Sequence, residues 1–150
     1  MNMGVLSDCE ILEYINEGKL KIDPLAKESL GPAGYDLRSG SYITISSGRC
    51  ILAHTMEFLE IGESLCGQIF LRSSFAREGV IGSFAFVDPG FRGQLTLSIV
   101  NMGPIPVKIG EGERIAQIIF HKLDRLPNKT YSGKYQNSLG AVESKRLKPS

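Results

Sequence analysis

Asp88 stands in "FAFVDPGFRG", Phe84 to Gly93, a stretch whose other charged residue is Arg92. A carboxylate there has two kinds of work open to it. Ahead of a Pro-Gly pair, an aspartate is a common first residue of a turn and satisfies backbone donors. Set between Phe86-Val87 and Phe91, it can instead act as a general base. Apolar neighbours would strip its hydration and raise its basicity, and it would take a proton from a water aimed at phosphorus. Phe91 offers a flat face for a sugar or a base.

Three further polar clusters interrupt apolar runs. "LRSSFAREG", Leu71 to Gly79, sets Arg72, Ser73, Ser74 and Arg77 directly after the apolar "GQIF". Guanidinium groups, hydroxyls and a run of backbone N–H groups bind phosphate oxygens through charge-assisted bonds. The other reading is a capped helical turn with exposed arginines. "GPAGYDLRSG", Gly31 to Gly40, places Asp36 at a strand start, either as a turn acid or as a carboxylate that orients an arginine or seats a metal-bound water. Gln117 is the lone polar group of "RIAQIIF". A buried amide needs partners, so Gln117 bonds neighbouring backbone or contacts phosphate or water. His54 and His121 have no His or Cys at ligand spacing and read as structural. The chain lacks the H-x-E and P-C-x-x-C pattern of zinc nucleobase deaminases, and it lacks a P-loop.

These clusters need elements to hold them. "LSDCEILEYINEGKL" has Ser7 followed three residues later by Glu10, the capping-box pattern. Ile11, Leu12 and Ile15 are expected on one helix face, with Gly18 as the stop. From about Asp36 the pattern changes to short strands with Gly and Pro punctuation: "SYITI", "CILAHTMEFLEI", "LCGQIFL", "GQLTLSIVN" and "RIAQIIFHKL". In "GQLTLSIVN", Leu95, Leu97 and Ile99 alternate with Gln94, Thr96 and Ser98. This predicts an all-β barrel or sandwich with one N-terminal helix. No repeat or linker is visible, so residues 1–150 read as one domain, with an N-terminal helical segment at 1–22 and a tail at 127–150. The tail is polar and reads as a mobile surface segment.

Totals narrow the function. The 150 residues are 42% hydrophobic and 22% charged with a net charge of +1. That gives no case for nucleic-acid or membrane-surface binding, and any anion site must be local. The three cysteines, Cys9, Cys50 and Cys66, fit neither a disulfide framework nor a zinc site and are expected as buried thiols in a reducing cytoplasm. No signal segment or membrane span is legible, so a cytoplasmic protein is expected.

Taken in order, the four clusters resemble the motifs of the dUTPase and dCTP deaminase superfamily: "AGYDL", "RSS", "FVDPGFRGQLTLSIVNMG" and "GERIAQIIF". The segment "SDCEILEYINEGKLKIDP" and the tail "KYQNSLGAVESKR" look more like the dCTP deaminase branch than like ordinary dUTPases. The chain is similar to the archaeal-type dUTPases within that branch. The resemblance implies a distorted, jelly-roll-like β-barrel and a homotrimer with active sites shared between subunits. It also implies a C-terminal tail that closes over the nucleotide as a lid.

It implies roles as well. Asp88 would activate water for attack on the α-phosphorus of dUTP. Arg72, Ser73, Ser74 and Arg77 would hold phosphate oxygens, and Gln117 would orient water or phosphate. Phe91 stands where dUTPases typically have tyrosine under the deoxyribose. Phe86 and the backbone from Gly82 would read the uracil edge. Tyr131, Lys134 and Tyr135 would cover the phosphates, with Asp36 and Arg92 in support. Mg²⁺ would accompany the triphosphate, held by nucleotide and water, with metal ligands unassigned. In the deaminases the position of Ser98 carries a proton-shuttling glutamate. A serine cannot act as a carboxylate base near neutral pH, and Glu78, the nearest acid before Asp88 in sequence, is a poor substitute. Two departures leave selectivity open. The segment from Arg72 to Asp88 looks shorter than its counterparts, and Ser138 stands where deaminases usually place a glutamine. The expectation is a dUTP pyrophosphatase. The alternatives are a dCTP deaminase, a bifunctional enzyme, or a non-catalytic nucleotide-binding trimer.

Overall fold

The structure is a computed structural model that describes residues 4–147. The first three residues of the expected helical segment and the last three of the expected tail lie outside the described residues.

Helix α1 (Asp8–Asn16) precedes β1 (Leu20–Asp23), a 3₁₀ turn at Lys27–Ser29, β2 (Leu30–Gly31), β3 (Gly34–Arg38), β4 (Ile43–Ile45), β5 (Cys50–Ile61) and β6 (Leu65–Leu71). Helix α2 (Ser73–Arg77), β7 (Val80–Ser83), β8 (Arg92–Asn101), β9 (Val107–Ile109) and β10 (Arg114–Lys122) follow. The strands form two four-stranded sheets, in orders β1-β5-β8-β7 and β2-β3-β10-β6, and a β4-β9 ribbon. Every strand pair is antiparallel. The mostly-β architecture with one main helix agrees with the sequence expectation. Among the described residues, no helix is long and apolar enough to cross a membrane.

Period-two patterning decides which faces meet. Along β8, Leu95, Leu97 and Ile99 are buried, whereas Gln94, Thr96 and Ser98 face outward. Leu59, Leu97 and Ile99 from the first sheet share one apolar cluster with Leu37, Ile69, Ile118 and Phe120 from the second. Buried aliphatic side chains of this kind contribute about 1.5–3 kcal/mol each.

The N-terminal helix starts as its sequence dictates. Ser7 Oγ accepts the Glu10 N–H at 3.4 Å, and Glu10 Oε2 accepts the Ser7 N–H at 3.0 Å. Gly18, at φ 70°, ends the helix. Ile11 and Ile15 turn toward the sheets, but Leu12 is 37% exposed. One residue along a helix is a turn of about 100°, so Leu12 cannot share their contact. A charge-assisted bond of 2.7 Å from Lys122 Nζ to Glu10 Oε1 pins the helix to β10.

One further expectation is corrected. Cys66 is buried, but Cys9 and Cys50 are exposed free thiols. Cys9 lies on the solvent side of α1, and Cys50 opens β5 on its outward face. The sequence also hid a buried acid. Glu57 sits where the β5–β8 register shifts, between His54 and Phe58. It is fully buried. Its carboxylate accepts the Arg38 Nε–H at 2.7 Å, the Arg38 N–H at 2.9 Å and the Tyr35 hydroxyl at 3.3 Å. A buried charge survives only with such partners.

Candidate active site

Asp88, Pro89, Gly90 and Phe91 form one tight turn. Phe91 N–H donates to Asp88 O at 3.1 Å, and Gly90 takes φ 85°. Proline second and a left-handed glycine third are what a type II turn requires. The chain before the turn is held by a reciprocal backbone pair, Gly67 to Val87 and Val87 to Gly67, each at 2.8 Å. A Cβ at Gly67 would meet Ile118 Cδ1 at 2.8 Å and Val87 Cβ at 3.2 Å, so glycine allows that approach.

Strand alternation then sets the acid. Val87 is 4% exposed and points into the core, so Asp88 points out. This corrects the expected drying of the acid by its apolar flanks: Asp88 is exposed, and Phe86 beside it is 54% exposed. Turn capping is not its role either. The backbone carbonyl closes the turn, and the Asp88 carboxylate has no hydrogen bond or ion pair among the described residues. Burial pushes the Cys66 thiol up, and the negative charge of Asp88 adds to that push.

Asp88 lines two cavities. One, of about 460 Å³, is walled by Phe86, Phe91, Tyr131 and Tyr135, with Gln94 and Thr96 of β8 behind them. The other, of about 370 Å³, shares Phe86, Asp88 and Tyr131 and adds Cys66, Lys129 and Thr130. Among the described residues, Asp88 is the only carboxylate in either wall. A mostly apolar cleft with a few placed polar groups is the usual form of a small-molecule site.

The tail forms part of this cavity and is not a loose segment. The Tyr131 ring meets Phe91 edge-on, with centroids 5.6 Å apart at 64°. Asn137, at φ 60°, reverses the chain. Ser138 O then accepts the Gln94 N–H at 2.8 Å, Gly140 N–H donates to Gln94 Oε1 at 2.6 Å, and Val142 N–H donates to Thr96 Oγ1 at 3.0 Å. Ser138 is left 9% exposed and lines the cavity. The outward polar positions Gln94 and Thr96 of β8 are the strip on which the tail docks.

The residues expected to bind anions lie elsewhere on the chain. Arg72, at the mouth of α2, places Nε 3.4 Å from Asp36 Oδ2, and Arg114 Nη1 lies 3.6 Å from the same oxygen. Gln117 is the cross-strand partner of Asp36 and is half-buried on the outer sheet face, not in the core. Ser73, Ser74 and Arg77 are exposed on α2, which has no side-chain cap. None of these residues lines either cavity. Lys134 also lies outside both cavities; its Nζ donates to the Lys145 carbonyl, and Lys145 Nζ donates to the Lys134 carbonyl. Arg92 reaches Glu60 at 3.5 Å. Of the expected base-reading segment, Ala85 and Phe86 line the larger cavity and Gly82 does not. Gln94, Thr96, Arg114, Lys129 and Gln136 were missed, because only tertiary contact gives them a role.

A family model described as dCTP deaminase-like matches residues 39–123. The dCTP deaminase of Pyrococcus horikoshii is 41% identical, over 87% of this chain and 93% of that protein. The chain belongs to the dCTP deaminase-like family. A probable deoxyuridine 5'-triphosphate nucleotidohydrolase of Sulfolobus islandicus rod-shaped virus 1 is 35% identical, over 94% of this chain and 98% of that protein. In fold, the chain resembles the 2'-deoxycytidine 5'-triphosphate deaminase of Agrobacterium tumefaciens, with a TM-score of 0.70 and 21% identity. That match covers 82% of this chain and 49% of the other, so the chain spans about half the length of that enzyme. The native dUTPase of EIAV gives a TM-score of 0.58 at 21% identity, over 77% of this chain and 96% of that one. The family therefore holds relatives named for both activities, and the protein is an enzyme of the nucleotide-acting kind.

Within this family member, Ser98 occupies the outward face of β8 between Leu52 and Ser83. Its Oγ is 3.5 Å from Cys50 Sγ. The outward residues of β8 from Gln94 to Val100 include no carboxylate. Glu78 caps the C-terminal end of α2 and lines neither cavity.

Proposed function

We propose that the protein hydrolyses dUTP to dUMP and pyrophosphate, with Asp88 as the general base. One observation carries this reading: among the described residues, Asp88 is the only carboxylate in the cavity wall, and no side-chain or backbone donor engages it. A base must be free to accept the proton of the water it activates. Deamination needs an acid–base group at the pyrimidine ring, and the outward face of β8 offers Ser98 in its place.

The nucleoside occupies the larger cavity, with the sugar on Phe91 and the tail residues Tyr131 and Tyr135 over it. Phe86 and its backbone read the base edge. The triphosphate leaves past Asp88. Arg72, Ser73, Ser74, Arg77 and Gln117 come from a second copy of the chain, because none of them lines either cavity of their own chain. The assembly is a homotrimer with shared sites, and residues 1–150 form one domain. Mg²⁺ enters with the triphosphate and screens its charge. No group of three or more His, Cys, Asp or Glu side chains among the described residues could cage it. The ion therefore rides on phosphate and water, with the Asp88 carboxylate nearby. The enzyme works in the cytoplasm on free deoxynucleotides, and nucleic acid and membranes are not its partners.

A second reading, dCTP deamination, is favoured by the name of the Pyrococcus relative at 41% identity. Incubation with dUTP, dCTP and dTTP under Mg²⁺, with chromatographic product identification, separates the readings. The expected products are dUMP and pyrophosphate from dUTP. Ammonia and dUTP from dCTP overturn the proposal. Nucleotide-induced stabilisation without any product marks a binding module instead.

A further inference from the structure

We propose that Gln136 is the positioning residue that clamps Phe91, and that it thereby sets sugar discrimination in the cavity; this rests on reading the cavity as a deoxynucleotide site. The side-chain amide of Gln136 spans Phe91 on both sides. Nε2 donates to Gly90 O at 2.8 Å, and Oε1 accepts the Arg92 N–H at 2.8 Å. The second Nε2 hydrogen goes to Tyr131 O at 3.3 Å. Both N–H bonds of the amide and one oxygen lone pair are thus used. The amide orientation follows from its partners, since a flipped group would set oxygen against two carbonyls.

The two peptide groups that set the direction of the Phe91 side chain are those with Gly90 O and Arg92 N, and one amide holds both. Neighbouring bonds extend the clamp. Tyr131 N–H donates to Pro89 O at 2.8 Å, and Asn137 N–H donates to Arg92 O at 2.7 Å. The Tyr131 ring rests edge-on against the Phe91 ring. Floor and tail are therefore one body. A ring that cannot tilt rejects a sugar carrying an extra hydroxyl, and a loosened ring yields to it. Asp88 shares the turn with Phe91 but is also anchored on its other side by the Val87–Gly67 pair, so the clamp acts on binding and selectivity more than on the chemical step.

Steady-state kinetics with dUTP and UTP on wild type, Gln136→Met and Gln136→Asn test this. Methionine keeps the length without the bonds; asparagine keeps the amide but is too short to span. Losing these bonds is expected to raise KM for dUTP about tenfold and to cut the dUTP-over-UTP preference several-fold. The change in kcat is expected to stay within about threefold. A lower Tm with KM and sugar preference unchanged overturns the proposal, as does wild-type behaviour or failure of both variants to fold. If wild type itself does not turn over dUTP, the functional reading has failed. The clamp is then judged by calorimetric binding of dUMP against UMP, where an unchanged preference in the variants overturns it and a reduced one supports it.

Discussion

The N–H of Phe91 donates to the carbonyl of Asp88 across 3.1 Å, which makes the acid and the aromatic floor two ends of a single turn. The carboxylate that meets water and the ring that meets sugar cannot drift apart without breaking that bond. Catalysis and binding are therefore coupled through four residues.

Replacement of Asp88 by asparagine keeps the shape and removes the base. The expected loss in kcat is about 10²- to 10⁴-fold, with dUTP binding by calorimetry largely intact. Wild-type turnover in the variant would place the base elsewhere.

Gly90→Ala tests the turn. Its φ of 85° disfavours any side chain, and a Cβ there would meet Thr130 Cβ at 2.7 Å. A destabilisation of about 1–3 kcal/mol is expected from the backbone strain, measured by urea unfolding. Turnover should fall beyond what the unfolded fraction explains, since both ends of the turn move.

Asp36→Asn frees Arg72 and Arg114 from their shared carboxylate. Such partly exposed pairs add little to stability, so the unfolding free energy should change by less than about 1 kcal/mol. KM for dUTP should nevertheless rise several-fold, with stronger salt dependence, because the guanidinium groups lose their fixed direction. An unchanged KM would separate this cluster from the phosphates.

Glu10 gives a pH signature. The hydrogen bond from Lys122, then that from the Ser7 N–H, lowers its carboxyl from the ordinary 4.5 to about 2. A depressed folded value means stability that is present above the unfolded value and is lost as pH falls through the folded one. Wild type should therefore exceed Glu10→Gln in Tm at neutral pH, and the two curves should converge between pH 4.5 and about 2. Parallel curves throughout that window would show that the Glu10–Lys122 contact carries no charge-dependent stability.

What was legible in the sequence was local. The Ser7–Glu10 capping box, the Pro89-Gly90 turn and the alternation of β8 each depend on residues a few positions apart. Their geometry follows from helix and strand periods and from the freedom of glycine. The mostly-β fold was therefore legible too, whereas the four motif stretches were legible by their resemblance to a known family. Contacts between distant segments were not. The buried Glu57 bonds Arg38 across 19 positions, and Gln136 bonds Gly90 across 46. No period in the chain encodes either pairing. The division of the expected site residues into a cavity group around Asp88 and a guanidinium group around Asp36 is of the same kind.

The chain itself determined which residue types carry chemistry and which side of each strand they occupy, because alternation is a property of neighbouring dihedrals. Tertiary structure alone decided that Asp88 faces open clefts, that the tail docks along Gln94 and Thr96, and that the arginines lie apart from the acid. Register and chain reversal bring those groups together or separate them, and both are settled by burying the two sheets against each other.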